Sequence, residues 1–314
     1  MTYNGLISKN KINNSTFYSI LCLALASLMI FFSNSIKAGV LSGLYFSFTT
    51  IIPTLFPFFI LSDFWSSFFN VKRDSMAAKI FEKLFGINGS GASALVSGLV
   101  CGFPIGVKVA YELYRSKIIS NDEFERLSGF ANNPSAAFII SGVGAGIIGD
   151  AKLGIILYIS IILSSITIGM IFKSKELSSI NSNVIIRQNF NLSNSIKNAA
   201  TSSIAVASYI IFFSGVISIL KSMLSNELLL CIISSFLEVG NATKIAFSCQ
   251  SADLHIRLIL IAFSLGFSGL SVHMQAVMYF DQNRLSMKYI FMKLLQGILT
   301  SAYTYLFMLL MNLL

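Results

Sequence analysis

Two apolar stretches of this chain carry the same pattern: small or helix-breaking residues, then a lysine inside hydrophobic sequence. The first reads Gly102-Phe103-Pro104-Ile105-Gly106-Val107-Lys108-Val109-Ala110-Tyr111. The second reads Glu238-Val239-Gly240-Asn241-Ala242-Thr243-Lys244-Ile245-Ala246-Phe247, and the two lysines lie 136 residues apart. An ionised side chain at membrane depth is costly and by default marks a functional site. Interrupted hydrophobic segments at corresponding places in two halves point to a transporter binding site. A helix opened inside the membrane presents free N–H groups and a positive dipole end, which attract anions. Lys108 and Lys244 would sit about one turn into helices beginning after Pro104 and Asn241, so the expected ligand is a small anion. The plainer reading is that both stems snorkel toward headgroups and that the glycines serve close packing.

Further polar groups are expected beside these lysines. Asn132-Asn133-Pro134-Ser135 offers amide donors and acceptors, a hydroxyl, and a proline that removes one backbone bond. It reads as a ligand contact or as a kink whose amides bridge helices. Gly266-Phe267-Ser268-Gly269-Leu270-Ser271 interrupts a later apolar run in the same way and puts Ser268 with the binding candidates, alongside the backbone at Gly102, Pro104 and Asn241. Glu238 could pair with Lys244, carry a coupling proton or bind a cation; His273 is the other candidate for ion coupling. No metal site is expected, because Cys22, Cys101, Cys231 and Cys249 form no C-x-x-C and His255 and His273 stand apart. Gly142-x-Gly144-x-Gly146 falls within an apolar span and not between a strand and a helix. With no nucleophile elbow, phosphate loop or metalloprotease motif, neither a cofactor nor an enzymatic activity is expected.

The elements that must position these groups follow from composition. Of 314 residues, 55% are hydrophobic and 11% charged, with a mean hydropathy of +0.77. That describes an all-α polytopic membrane protein embedded in the lipid bilayer. The net charge of +9 then reflects topology, and no nucleic-acid partner is implied. Spanning runs are expected at 17–34, 38–69, 127–149, 153–172, 198–221, 257–280 and 289–313. Lys9 and Lys11 ahead of the first run give it the outline of a signal peptide, but Ser33-Asn34-Ser35 is a poor cleavage site, so a first transmembrane helix is expected. Stretches 90–114 and 227–250 are broken near their centres and read as re-entrant hairpins, since irregular backbone survives at membrane depth only when buried in protein or lining a cavity. Seven spans and two hairpins, with a cytoplasmic N-terminus and the C-terminus outside, place sixteen Lys and Arg on one side, Lys293 among them. Only Lys37, Lys152, Lys221 and Arg257 fall on the other, a strong positive-inside bias.

The resulting architecture is an inverted repeat of span, re-entrant hairpin, broken span and span, plus one N-terminal helix. Residues 1–36 hold the tail and first helix, 37–173 the first repeat, 174–197 a cytoplasmic linker, and 198–314 the second repeat. Residues 72–88 read as an interfacial amphipathic helix. Whether the chain forms a homo-oligomer is left open.

The same residues resemble a known family. Ser97-Gly98-x-x-x-Gly102-Phe103-Pro104-Ile105-Gly106-Val107-Lys108, the run from Leu127 to Gly144 around Asn132-Asn133-Pro134-Ser135, Leu237-Glu238, and Gly266-Phe267-Ser268-Gly269-Leu270-Ser271-Val272-His273-Met274-Gln275 resemble the nucleoside-recognition (Gate) membrane superfamily. Within it, they are similar to YlbJ-type sporulation integral membrane proteins. The resemblance covers the chain from about residue 40 onward, and this chain is the shorter, with abbreviated loops. It implies the fold of the concentrative nucleoside transporters, with paired hairpins and broken helices about a midplane site, and alternating-access transport. It also implies a role in endospore formation and movement of dipicolinate, a small aromatic dicarboxylate. Two hairpin lysines suit that substrate better than a neutral nucleoside, which is the alternative; a non-transporting membrane scaffold for spore assembly is a second.

Overall fold

The computed structural model describes residues 14–68, 75–174, 191–280 and 284–311, and among these no strand occurs. Helix α1 (Asn14–Phe31) is followed after Phe32 alone by α2 (Ser33–Phe46). The first helix and the next span are therefore nearly continuous, not divided by the loop expected at 35–37. A π-helical turn over Ser47–Ile51 leads into α3 (Ile52–Phe68). Helix α4 (Met76–Phe85) falls within the stretch 72–88 expected to be an amphipathic helix; residues 72–74 of that expectation lie outside the described residues. Ser75 caps its first turn by accepting from Ala78 N at 3.2 Å, and Gly86 at φ 59° ends it. It buries Ala78, Phe81 and Phe85 while Met76 and Ile80 stay exposed, and it meets the next helical stretch at 96°.

There follow α5 (Ala92–Cys101), α6 (Ile105–Arg115), α7 (Asn121–Ala131), a π-helical segment (Phe138–Ile148) and α8 (Ala151–Ile171). The second half comprises α9 (Leu192–Met223), α10 (Glu227–Leu237), α11 (Val239–Ser248), α12 (Leu254–Phe267), α13 (Gly269–Val277) and α14 (Met287–Leu310). Stretches 33–61, 151–171, 192–223 and 254–277 are long and apolar enough to cross a bilayer as they stand. Helix α9 starts earlier than 198 because Asn191 supplies a cap, its Oδ1 accepting from Asn194 N at 3.1 Å. Most of the linker assigned to 174–197 lies outside the described residues.

Both broken stretches fold back on themselves. Gly98 of α5 and Gly106 of α6 lie face to face: a Cβ on either would stand about 3 Å from the other's Cα, at 3.2 and 3.1 Å. Eight residues of straight helix would separate them by about 12 Å, so the chain reverses at 102–104, where Gly102 takes φ 88°, a conformation open to glycine. In the second hairpin, Glu227 at the start of α10 accepts from Gln250 N at 3.1 Å and Ser251 N at 3.2 Å just beyond α11. The two ends of that hairpin therefore share one level.

The two halves pack as counterparts. Helix α9 runs antiparallel to α2–α3, with Gly39 and Gly43 against Ser214 at one end and Asp63 bonded to Asn198 at the other. The last span of each half meets its mate through Ser164–Thr300 and Thr167–Tyr303, both at 2.8 Å and both 136 residues apart. That offset also separates Lys108 from Lys244, as expected where residues on a pseudo-twofold axis meet their own counterparts. Two arginines fasten the halves in place. Arg126 donates to the Phe85 and Gly86 carbonyls at 3.0 and 2.9 Å, and Arg257 to those of Phe247 and Ala252 at 3.0 and 2.7 Å. Each satisfies carbonyls left open beyond a helix C-terminus.

Candidate functional site

The four helix breaks converge. Gly102 at the tip of the first hairpin sits against Ser135 of the break after α7, and Gly269, first in α13, sits against Leu237 and Glu238 at the tip of the second. The carbonyl of Ala131, last in α7, lies between the arms of the first hairpin against Gly98 and Gly106. Between the tips is a cavity of about 40 Å³, bordered by Phe103, Pro134, Ser135, Glu238, Gly240, Ser271 and Gln275 among others. That is room for water but not for an organic ligand in this conformation. Gln275 is buried there with its Oε1 lacking a partner among the described residues.

The breaks differ in width. Residues 132–135 are non-helical, whereas the second break narrows from the expected 266–271 to Ser268 at φ 80° and Gly269 at φ 72°. The Ser268 hydroxyl turns toward the Leu265 and Gly266 carbonyls at 3.4 and 3.5 Å and does not border the cavity. Pro104 caps the start of α6 with its carbonyl, which accepts from Lys108 N at 3.0 Å. The Ser135 hydroxyl accepts from Phe138 N at 3.2 Å, opening the π-helical segment.

Glu238 acts as the N-cap of α11. Its carboxylate accepts from Gly240 N at 2.7 Å, Asn241 N at 2.6 Å and Asn241 Nδ2 at 2.8 Å. The negative group drawn to this helix start is thus supplied by the chain itself. Asn241 also donates to Ser214 Oγ at 2.7 Å, tying the hairpin tip to α9.

The two hairpin lysines are not brought to a common cavity, and neither borders the one between the tips. Lys108 Nζ lies 3.1 Å from Asp63 Oδ1 on α3, while Asp63 Oδ2 accepts from Asn198 Nδ2 of α9 at 3.2 Å. Lys244 Nζ lies 3.2 Å from the centroid of the Phe46 ring, a cation–π contact. Lys244 faces a second cavity, between α2, α9 and the second hairpin. The lysine at the heart of the breaks is Lys293, which the charge count placed on the cation-rich side although the expected span 289–313 contains it; it lies inside α14 and is wholly buried. Its Nζ donates to the Asn132 carbonyl and to Gln296 Oε1, both at 2.8 Å, and Gln296 Nε2 donates to Asn133 Oδ1 at 2.7 Å.

Around this centre, Asn132 Nδ2 donates to Tyr289 Oη at 2.9 Å, and Asn133 Nδ2 to the Phe130 carbonyl at 2.8 Å and Ser165 Oγ at 3.3 Å. His273 Nδ1 is 3.4 Å from Tyr289 Oη. Asn132 Oδ1 and His273 Nε2 are buried with no partner among the described residues. Both asparagines therefore serve the bridging of broken helix ends, and only the orphaned oxygen of Asn132 is spare. The signal overlooked in the sequence was Lys293, Gln296, Thr300 and Thr304, polar residues on one stripe of an apolar helix, all buried here. Asp63, alone in the run 38–69, was the other.

No family model matches the sequence, and no solved structure matches it. One curated relative, the sporulation integral membrane protein YlbJ of Bacillus subtilis (strain 168), is 26% identical over 306 residues, covering 83% of this chain and 75% of the relative. The resemblance to YlbJ-type proteins thus extends along most of the chain. Together with its apolar spans, it makes this an integral membrane protein of helical, polytopic architecture.

Proposed function

We propose that this chain is a membrane transporter, of secondary or facilitator type, for a small organic anion, with dipicolinate during endospore formation as the first substrate to test. The observation that carries the reading is the meeting of four helix breaks, two of them hairpin tips entering from opposite faces, around a small central cavity. Interrupted helices spend backbone hydrogen bonds, and such a centre is tolerated where it serves a pathway. The asymmetry between faces supports alternating access. Toward the cation-rich face the first hairpin is tied by Lys108–Asp63–Asn198, while on the other face a cavity of about 440 Å³ lies beside the second hairpin.

The nucleoside-recognition superfamily and its transporter fold belong to this reading, as does residence in a forespore membrane; the name of the relative gives a membrane and sporulation alone. No chemical conversion of the cargo is part of it. The two-lysine clamp gives way to a path on which Lys244 meets the anion at one face and Lys108 belongs to the closure of the other.

The test is uptake by purified protein in liposomes. Saturable dipicolinate uptake that exceeds uridine uptake is expected. Uridine uptake without dipicolinate uptake would replace the substrate with a nucleoside. Uptake of neither by well-folded protein would leave a membrane scaffold.

A further inference from the structure

The cavity beside the second hairpin has a charge imbalance that the central site lacks. It lies between α2, α9, α10 and α11, has a volume of about 440 Å³ and is bordered by Lys221 and Lys244. That volume falls in the range of sites for small organic molecules. Glu227 is the sole carboxylate on its wall, and its Oε2 already accepts from Gln250 N and Ser251 N at 3.1 and 3.2 Å. Two ammonium groups therefore border this space with one carboxylate on its wall, an excess of positive charge at the cavity itself. The Glu238 carboxylate, which borders the central cavity, also attracts Lys244. Among the described residues Lys244 forms no ion pair; its contact is the Phe46 ring. Ser42 and Ser248 are exposed to the same cavity.

The repeat sharpens the contrast. On the cation-rich face the first hairpin's lysine meets an acid, Asp63, near the end of the span that precedes it. On the other face the equivalent end of α9 carries a cation, Lys221, beside the second hairpin's lysine. One face thus pairs its hairpin lysine within the protein, and the other doubles the positive charge around an open space. Like charges repel strongly in a weakly screened cavity, and an anion entering there relieves that repulsion.

We infer that this cavity is an anion-binding vestibule, in which Lys221 and Lys244 hold a small organic anion with two acidic groups, assisted by the Ser42 hydroxyl. The inference deepens the transport reading and rests on it for the identity of the cargo, but the site can be tested without transport. A lipid phosphate offers similar chemistry, so the experiment must separate the two sources.

Full-length protein with its four cysteines replaced by alanine, since Cys231 and Cys249 border the cavity, receives Ser248→Cys. It is labelled in neutral detergent with anionic and cationic methanethiosulfonates of matched size. The anionic reagent is expected to react about tenfold faster. Combining Lys221→Met with Lys244→Met should bring the two rates close to parity, whereas Lys152→Met should leave the preference intact. Dipicolinate should slow labelling, and the double substitution should abolish that protection. Equal rates before the lysines are changed would overturn the inference. So would absence of protection by dipicolinate, phthalate and glutarate alike, or protection by anionic lipid alone. Charge preference with dipicolinate protection, but no dipicolinate uptake in liposomes, would uphold the site and sink the transport reading.

Discussion

Asp63→Asn should open the cation-rich face. Asp63 joins three elements: its Oδ1 lies 3.1 Å from Lys108 Nζ of the first hairpin, and its Oδ2 accepts from Asn198 Nδ2 of α9 at 3.2 Å. At 3.1 Å the gross attraction is about 5 kcal/mol at an effective dielectric of about 20. Desolvation opposes it, and side-chain exposures of 30% and 17% place the pair between exposed pairs, worth about 0–1 kcal/mol, and buried ones, where losing a partner costs about 3–5 kcal/mol. A bias of about 2 kcal/mol toward the closed state follows, or about thirtyfold in the open population. Cys101, buried at the end of α5 beside the hairpin tip, is a native reporter. In protein lacking the other three cysteines, its maleimide labelling from the cation-rich side should rise about thirtyfold in Asp63→Asn, if labelling tracks the open population. The exchange Asp63→Lys with Lys108→Asp should restore slow labelling. Unchanged labelling in both Asp63→Asn and Lys108→Met, with folding intact, would refute the latch.

Three further outcomes concern the centre. Lys293→Met leaves the Asn132 carbonyl and Gln296 Oε1 without their donor and should cost about 1–3 kcal/mol for each orphaned buried acceptor, read as a lowered midpoint of thermal unfolding in detergent. Glu238→Ala removes the acceptor of three bonds at the start of α11 and should destabilise by about 1–2 kcal/mol; Glu238→Gln, which keeps one acceptor oxygen, should fall between it and the parent in the same assay. Gly106→Ala would drive its Cβ into the Ala131 carbonyl, and that overlap, with backbone on the other side, should lower expression of folded protein more than Gly146→Ala, whose Cβ would stand 3.2 Å from the Ser141 carbonyl oxygen.

Much of the frame was legible in the linear chain, because lipid leaves few choices. Long apolar runs must be helices, and a proline and glycines in mid-run must be buried or line a cavity. The hairpins at 90–114 and 227–250 and the breaks at Asn132–Ser135 and Ser268–Gly269 follow from that constraint. The 136-residue offset read from the two lysines reappears in Ser164–Thr300 and Thr167–Tyr303. These are properties of local composition and of repeated sequence, and one chain displays them.

What partners each charge could be decided only in three dimensions. Lys108 and Lys244 look alike in sequence, yet one meets Asp63 and the other the Phe46 ring, because α3 and α2 present different side chains to the two hairpins. Lys293 looks like one more cation of the cation-rich face until the packing of α14 carries it, from within the span, to the carbonyl that the break after α7 leaves open. Glu238 reads in sequence only as a candidate for ion coupling, and the fold adds a capping role, since α11 turns its first amides onto the carboxylate. Sequence spacing sets which charges enter the membrane. The packing of helices distant in the chain sets which are neutralised there, and it leaves Lys221 and Lys244 facing open space.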